Sequence, residues 1–122
     1  MLPVDDGLLV IRRGIDPGRN RLALPGGYVD FAESWQQAAV RELHEETAIK
    51  VNPADVSLFD VASARDGSIL VFGLARGMKS ESLPPFEPTA ETTARLVVTV
   101  PTDLAFALHT AAVRSYFERG RM

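Results

Sequence analysis

Residues 27–49 read GYVDFAESWQQAAVRELHEETAI, and three carboxylates lie close together near the end of this stretch. Glu42, Glu45 and Glu46 share one face of a predicted helix, because residues three and four apart are neighbours on a helix surface. Each pair of like charges at this spacing costs a helix roughly 0.2–0.5 kcal/mol. A hard divalent cation would offset that repulsion, so the stretch predicts a metal site with carboxylate ligands.

The stretch resembles the Nudix box, written GX5EX7REUXEEXGU with U for a bulky aliphatic residue. Ala48 stands where the pattern has its second glycine, at a helix end that often needs a positive φ and where alanine carries a steric cost. The other fixed positions are matched by Gly27, Glu33, Arg41, Glu42, Leu43, Glu45, Glu46 and Ile49. A pattern that fixes this many residue types at set spacings is a specific signal.

The acidic stripe also has a simpler interpretation, since most Glu-rich helix faces are only solvated surface. Glu45 and Glu46 taken alone would favour that interpretation. Their combination with the glycine pair, the isolated Glu33 and the adjacent Arg41 and Glu42 favours the metal site instead.

Length and composition place the chain among small globular proteins. Its 122 residues, 46% hydrophobic and 24% charged, suit one compact domain over residues 1–122. A net charge of −3 gives no broad basic surface, which disfavours dedicated nucleic-acid binding. No apolar run approaches the ~20 residues of a membrane span and no secretion signal opens the chain, so we expect a cytoplasmic protein without membrane attachment.

The cysteine and histidine counts narrow the metal chemistry. The chain has no cysteine, and its two histidines lie apart in the sequence. A disulfide framework, a thiolate metal site and a histidine-based zinc site are therefore disfavoured. Oxygen ligands remain, in agreement with the three carboxylates of the box.

Apolar runs separated by turn residues predict the elements around the box. Residues 78–91 are polar and contain prolines, which indicates a surface loop that could cover a substrate. The predicted elements are a strand at 8–11, a hairpin of strands 56–63 and 68–75, a strand at 96–100 and a helix at 110–119. They support a small α/β domain, and the resemblance implies the Nudix α/β/α sandwich, a mixed sheet between helices.

The first strand is predicted to be short, because only residues 1–4 precede the turn at 5–7. Its outer edge would then be exposed or would pair with another subunit. Relatives of this kind often dimerise, so the resemblance and the unpaired edge together favour a homodimer.

The box helix carries its own start and packing signals. Ser34 is the predicted N-terminal cap, because a serine side chain can accept a hydrogen bond from a free amide of the first turn. Trp35, Ala39 and Leu43 recur at every fourth position and form the predicted buried stripe. The acids are left on another face of the helix.

The resemblance implies how a metal would be held. Glu42 and Glu46 are the expected direct ligands of Mg²⁺, with Mn²⁺ as the alternative ion, and Glu45 would join them at a second ion. The carbonyl of Gly26 occupies the family position of a backbone ligand. If Glu45 and Glu46 are the ligands, Glu42 is the expected base that takes a proton from water.

Two further features of the box have implied supporting roles. Arg41 is expected to orient the neighbouring acids, and a salt bridge to Glu33 would tie the loop to the helix, with an inconsequential exposed arginine as the alternative. Gly26 and Gly27 would allow the backbone to approach a metal–phosphate complex closely, although an isolated glycine pair can also simply mark a turn.

Outside the box, two basic and two acidic residues are candidates for the site. Arg12 and Arg13 end an early strand and would either reach phosphate or remain solvated. A later loop acid commonly completes the site in this family. Glu91 is the predicted acid and Glu87 the second choice, against the alternative that both are only solvated, since Ala94 lies near where many relatives carry a glutamate.

Three aromatic residues are candidates to stack on a nucleobase. They are Tyr28, Phe31 and Phe86. Packing within the fold is the favoured interpretation for each, and Trp35 is likewise interpreted as a core residue.

These features predict a magnesium-dependent pyrophosphohydrolase that splits a nucleoside diphosphate linked to another moiety, with water as nucleophile. Candidate small-molecule substrates are ADP-ribose or another nucleotide sugar, a dinucleotide and a nucleoside triphosphate, because loops outside the box set selectivity. A noncatalytic nucleotide sensor is the alternative from another class, and the three intact carboxylates argue against it. A folded but inactive enzyme is the third alternative, given the short first strand and Ala48.

Overall fold

The central strand of the protein is β2, Gly7–Arg13, in a computed structural model that describes residues 1–119. Its apolar run is buried on both faces, as expected for a strand covered on each side. It pairs antiparallel with β6, Thr92–Val98, along one edge. Along the other edge it pairs antiparallel with β1, Pro3–Val4, and with β3, Leu22–Ala23.

A separate antiparallel hairpin forms the second sheet. It consists of β4, Val56–Ser63, and β5, Ile69–Ala75, with a bulge between Leu58 and Asp60. The predicted hairpin is therefore confirmed. Asp66 in the turn accepts hydrogen bonds from the amide and hydroxyl of Ser68, so a local side chain fixes the reversal of the chain.

Helices cover the central sheet on both faces. They are α1, Trp35–Thr47, and α2, Ala107–Arg119. Because side chains alternate along a strand, β2 serves two cores. The α2 core contains Leu8, Val10, Leu24, Phe72, Leu104, Ala112 and Val113, and the α1 core contains Leu2, Val4, Leu9, Leu43, Ile49 and Ala75. The predicted α/β/α sandwich is confirmed.

The edge of β1 is occupied, which contradicts the expectation of an exposed or intersubunit edge. The amide of Asp5 donates to the carbonyl of Met78 at 3.0 Å, and the amide of Met78 donates to the carbonyl of Pro3 at 2.9 Å. Val4 and Met78 form an isolated parallel bridge, so this sheet contains parallel as well as antiparallel pairing. A returning segment of the same chain therefore covers the short strand.

Two element boundaries differ from the prediction. β6 begins at Thr92 and ends at Val98, whereas the apolar pattern placed the strand at 96–100. Its first residues pair with the polar end of β2, and that part of the ladder has no apolar signature. Helix α2 begins at Ala107 rather than at 110. Within residues 1–119, both helices are too short and too polar to cross a bilayer.

The start of α1 follows the prediction, but its buried stripe does so only in part. Ser34 accepts from the amide of Gln37, and the Gln37 side chain accepts from the amide of Ser34, which completes a capping box. Leu43 is buried, whereas Trp35 and Ala39 are half-buried because they line a cavity. Short 3₁₀ turns complete the chain at Pro53–Asp55 and Ser80–Ser82.

Helix α1 ends at a left-handed residue. Ala48 has φ 66° and ψ 5°, and its amide donates to the carbonyl of His44 at 2.9 Å. A side chain in this conformation costs roughly 1–2 kcal/mol, which glycine avoids.

We predict that Ala48→Gly raises the free energy of unfolding by about 0.5–1 kcal/mol, because relief of the left-handed strain exceeds the entropy cost of glycine. Urea denaturation monitored by circular dichroism measures the change. Ala39→Gly, the same substitution inside the helix, should instead lower stability by about 1 kcal/mol. Equal effects of the two substitutions would contradict this account of Ala48.

Candidate active site

The guanidinium of Arg41 connects the loop before α1 to the acids of the helix. Its Nε lies 2.7 Å from Glu33 Oε2 and its Nη2 lies 3.0 Å from Glu33 Oε1, a bidentate pair. Its Nη1 donates to Glu42 Oε1 at 2.8 Å, and its Nη2 to the carbonyl of Tyr28 at 2.9 Å. These bonds hold the pKa of Glu33 below its ordinary value and raise the pKa of Arg41. The predicted salt bridge to Glu33 is present.

The same loop displays two aromatic side chains to solvent. Tyr28 is 87% exposed and Phe31 is 100% exposed, so the interpretation that they pack within the fold is wrong. The amide of Asp30 donates to Glu33 at 2.8 Å, and Ala32 turns the chain with φ 67°. Because polar bonds rather than apolar contacts fix the loop, its aromatic side chains remain outside the core.

Glu42 and Glu46 form a close carboxylate pair. Glu46 Oε1 accepts from the amide of Gly26 at 2.9 Å, and this contact draws the residues before the box onto the helix. Burial, followed by the neighbouring charge of Glu42, raises the pKa of Glu46 to about 8. A cation beside the pair would favour the ionised form of Glu46.

Glu45 shares the Nη1 nitrogen of Arg41 with Glu42. Its side chain is 57% exposed and lies 3.4 Å from Arg41 Nη1. Within residues 1–119, no three acidic or histidine side chains converge as a ready set of metal ligands. The donor chemistry nevertheless fits a hard divalent cation, because Glu42, Glu46 and the Gly26 carbonyl offer oxygen ligands only.

The two glycines of the loop differ in their surroundings. A Cβ added to Gly27 would lie 2.6 Å from both Cδ and Oε1 of Glu42, so the backbone passes directly against this carboxylate. A Cβ added to Gly26 would meet no atom within 4 Å. The close approach of the backbone to Glu42 therefore requires glycine at position 27, whereas position 26 has space for a side chain.

Arg12 and Arg13 occupy different environments. Arg13 donates from Nε to the carbonyl of Pro17 at 2.6 Å, and its guanidinium lies 5.0 Å from the ring centre of Phe106. It lines the cavity beside the box. Arg12 donates to the carbonyl of Asn20 at 2.6 Å and is not among the lining residues. Of the two, Arg13 is placed to meet a ligand in the cavity.

A cavity of about 900 Å³ reaches Gly26 and Gly27, the two glycines against which Glu46 and Glu42 lie, and its volume is within the range of small-molecule pockets. It lies between the hairpin, α1 and the start of α2. Its wall includes Arg13, Gly26, Gly27, Tyr28, Trp35 and His109. Most of the wall is apolar, and its charged side chains are Arg13 together with Arg65 and Asp66 in the turn of the hairpin.

His109 lines the cavity, although no motif in the sequence marks it as a site residue. Its Nδ1 accepts from the amide of Leu24 at 3.2 Å, and its ring packs edge-on against Phe106 and Phe72 at 5.1 and 6.1 Å. Burial, followed by the charge of Arg13, lowers its pKa to about 4. A lone histidine in an amphipathic helix has no motif around it, and the contact to Leu24 arises only in the folded chain.

The later loop acids lie on the protein surface. The Glu91 carbonyl accepts from the amide of Gly14 at 2.8 Å, while the side chains of Glu91 and Glu87 are solvent-exposed. Phe86 is half-buried, with its ring centre 5.5 Å from the Arg95 guanidinium, so packing accounts for this aromatic residue. Ala94 belongs to β6.

The family model described as NUDIX domain matches residues 1–115. The chain belongs to the Nudix family. The box of this Nudix chain, residues 27–49, lies within the matched range, and Arg41 joins its loop to α1.

Similar proteins agree with this assignment. An ADP-ribose pyrophosphatase of Methanocaldococcus jannaschii is 40% identical over 62 residues, which cover 51% of this Nudix chain and 36% of the relative. A bifunctional NMN adenylyltransferase/ADP ribose pyrophosphatase from Francisella tularensis, solved with AMP and a Mn ion, has a TM-score of 0.66 and 28% identity, covering 81% of this chain and 32% of that one. The match therefore spans about a third of the length of each of these two proteins.

A third comparison extends over nearly the whole chain. A NUDIX hydrolase structure from Nitrosomonas europaea gives a TM-score of 0.74 at 24% identity, covering 98% of this Nudix chain and 70% of the other. At this identity the likeness supports the fold.

We predict that Gly27→Ala displaces the Glu42 carboxylate and weakens Mn²⁺ binding by about tenfold or more, because the new methyl group would overlap that side chain. The end of a flexible side chain can move at little cost, so the unfolding free energy should change by less than about 1 kcal/mol. Isothermal titration with Mn²⁺ measures the affinity. Gly26→Ala is the matched control and should bind like the wild type; equal affinities for all three proteins would disprove the crowding argument.

His109 predicts a pH dependence of stability. Its pKa of about 4 in the folded protein lies below the ordinary 6.5, so the unfolded chain binds the proton more readily between these values. Stability is therefore complete above pH 6.5 and declines as the pH falls towards 4. Between pH 7.5 and 5 the loss due to His109 should be about 2 kcal/mol.

Denaturant titrations at both pH values should show that His109→Gln removes this part of the loss, since glutamine keeps an acceptor for the Leu24 amide but does not titrate. His44→Gln, at an exposed histidine of α1, should retain the wild-type dependence. An unchanged pH dependence in His109→Gln would show that other groups control acid stability.

Proposed function

We propose that this Nudix domain is a metal-dependent pyrophosphohydrolase of a nucleoside diphosphate linked to another moiety. The observation that carries the proposal is the carboxylate pair Glu42 and Glu46, which lies against Gly27 and Gly26 where these glycines line a cavity large enough for a nucleotide. The names of the M. jannaschii and F. tularensis proteins support ADP-ribose as the first candidate substrate. Other nucleotide sugars, dinucleotides and nucleoside triphosphates are the remaining candidates.

Mg²⁺ is the proposed ion, with Mn²⁺ as the alternative that the F. tularensis complex supports. Glu42, Glu46 and the carbonyl of Gly26 would hold it, and Glu45 would contribute to a second ion after release from Arg41. When bound, such an ion neutralises phosphate charge and lowers the pKa of water.

The side chains of the chain supply orientation and proton transfer. Water forms the new bond to phosphorus, the bridging phosphorus–oxygen bond breaks, and the water proton passes to a carboxylate. Glu42 is the proposed acceptor if Glu45 and Glu46 serve as ligands, and Glu91 is the proposed loop acid. Arg41 fixes Glu42 through the 2.8 Å bond to Oε1, and Arg13 is placed to pair with substrate phosphate.

We further propose a homodimer in the cytoplasm. Exposed apolar side chains of the hairpin, Leu58, Val61 and Ile69, support an interface between copies. Sedimentation velocity measures the oligomeric state, and a monomer throughout the micromolar range would reject the dimer.

We predict that the purified protein hydrolyses ADP-ribose or another member of a panel of nucleotide sugars, dinucleotides and nucleoside triphosphates in the presence of Mg²⁺, with products identified by mass. Glu46→Gln should lower kcat by about a hundredfold or more, because it removes a charged oxygen ligand. Glu118→Gln, at an exposed position near the end of α2, is the matched control and should retain full activity.

The outcomes separate the hydrolase from the sensor. Metal-dependent turnover that Glu46→Gln abolishes supports the enzyme. Tight nucleotide binding without turnover by the wild-type protein would reject hydrolysis and favour a noncatalytic binding module.

A further inference from the structure

Residues 84–91, here called the strap, run from the end of α1 to the end of β2. Arg95 anchors the first part of the strap. Its Nη1 donates to the carbonyl of Thr47 at 2.8 Å and its Nη2 donates to the carbonyl of Pro84 at 2.7 Å. The guanidinium also lies over the ring of Phe86, 5.5 Å from its centre. One side chain therefore joins the last residue of α1 to the start of the strap.

The chemistry of this anchor requires arginine. Two carbonyls from separate segments accept hydrogen bonds from two nitrogens of the planar guanidinium. The single ammonium group of lysine cannot reproduce this geometry. Within residues 1–119, no carboxylate lies within ion-pair distance of Arg95. Its guanidinium is therefore hydrogen-bonded to backbone carbonyl oxygens instead. The Thr47 carbonyl is at the negative end of the α1 dipole, which favours a cation there.

Gly14 anchors the other end of the strap. Its amide donates to the carbonyl of Glu91 at 2.8 Å. A Cβ at this position would lie 2.1 Å from the carbonyl oxygen of Ala90, so only glycine allows the two backbones to approach this closely. A turn in which Thr89 and Thr92 exchange hydrogen bonds then leads the chain into β6.

Both anchors adjoin residues of the candidate site. Thr47 directly follows Glu46, and Gly14 directly follows Arg13, which lines the cavity. The strap therefore extends from the catalytic helix to the cavity wall, with Glu91 at the Gly14 end. We propose that Arg95 and Gly14 are positioning residues: they hold the strap against the end of α1 and the end of β2, and so fix the helix end that carries Glu46. This inference rests on the hydrolase function proposed above.

Three variants test the two anchors: Arg95→Met, Arg95→Lys and Gly14→Ala. Each should lower kcat by about tenfold or more and change KM by less than about threefold, because the strap is misplaced while the nucleotide cavity is intact. Amide hydrogen exchange should become faster within residues 84–91. Arg95→Lys should be more thermally stable than Arg95→Met, because lysine can still donate to one carbonyl of α1. Amide hydrogen exchange in the strap should nevertheless remain fast in Arg95→Lys.

Matched controls lie next to each other in the chain. Arg76→Met removes an exposed arginine, and Gly77→Ala adds a methyl group whose nearest neighbour is 3.4 Å away. Both should retain wild-type kcat and exchange in the strap.

The possible failures of the two proposals are distinct. If Glu46→Gln abolishes turnover while Arg95→Met and Gly14→Ala keep wild-type kcat, the positioning role is disproved and the hydrolase stands. If the wild type shows no metal-dependent turnover, the proposed function fails. In that case, wild-type amide hydrogen exchange within residues 84–91 in the anchor variants would reject the two anchors as well.

Discussion

The structure of the site depends on one guanidinium among carboxylates. Arg41 is bonded to Glu33 through two nitrogens and to Glu42 through a third, and it also binds the carbonyl of Tyr28. Without a positive charge at this point, the acids of the box would repel one another and the loop would have no attachment to the helix. The position of Gly26, and with it the contact to Glu46, follows from that attachment.

The second constraint is close contact between backbone and carboxylate. Gly27 passes against Glu42 with no space for a methyl group, while the amide of Gly26 reaches Glu46. Partial burial of this acidic pair raises the pKa of Glu46 to about 8, a state that a cation would reverse. The repulsion between the carboxylates of Glu42 and Glu46 is therefore concentrated next to the cavity that is proposed to hold a nucleotide.

Local signals in the sequence predicted much of the fold. The capping box at Ser34, the hairpin of β4 and β5 and the helical face of the acids all depend on residues a few positions apart, so spacing alone reveals them. The exceptions have tertiary causes. Trp35 and Ala39 are half-buried because a cavity borders them, and the edge of β1 is closed by Met78, far along the chain.

The sequence by itself determined the family, the order of elements and the set of carboxylates, because helical periodicity and turn chemistry act over short distances. Only the tertiary structure decided which groups meet. It separated Arg13 from Arg12, placed Glu45 and Glu42 at the same nitrogen of Arg41, and brought His109 to the amide of Leu24. Such contacts depend on how distant segments of the chain pack against each other. The spacing of residues in the sequence does not predict that packing.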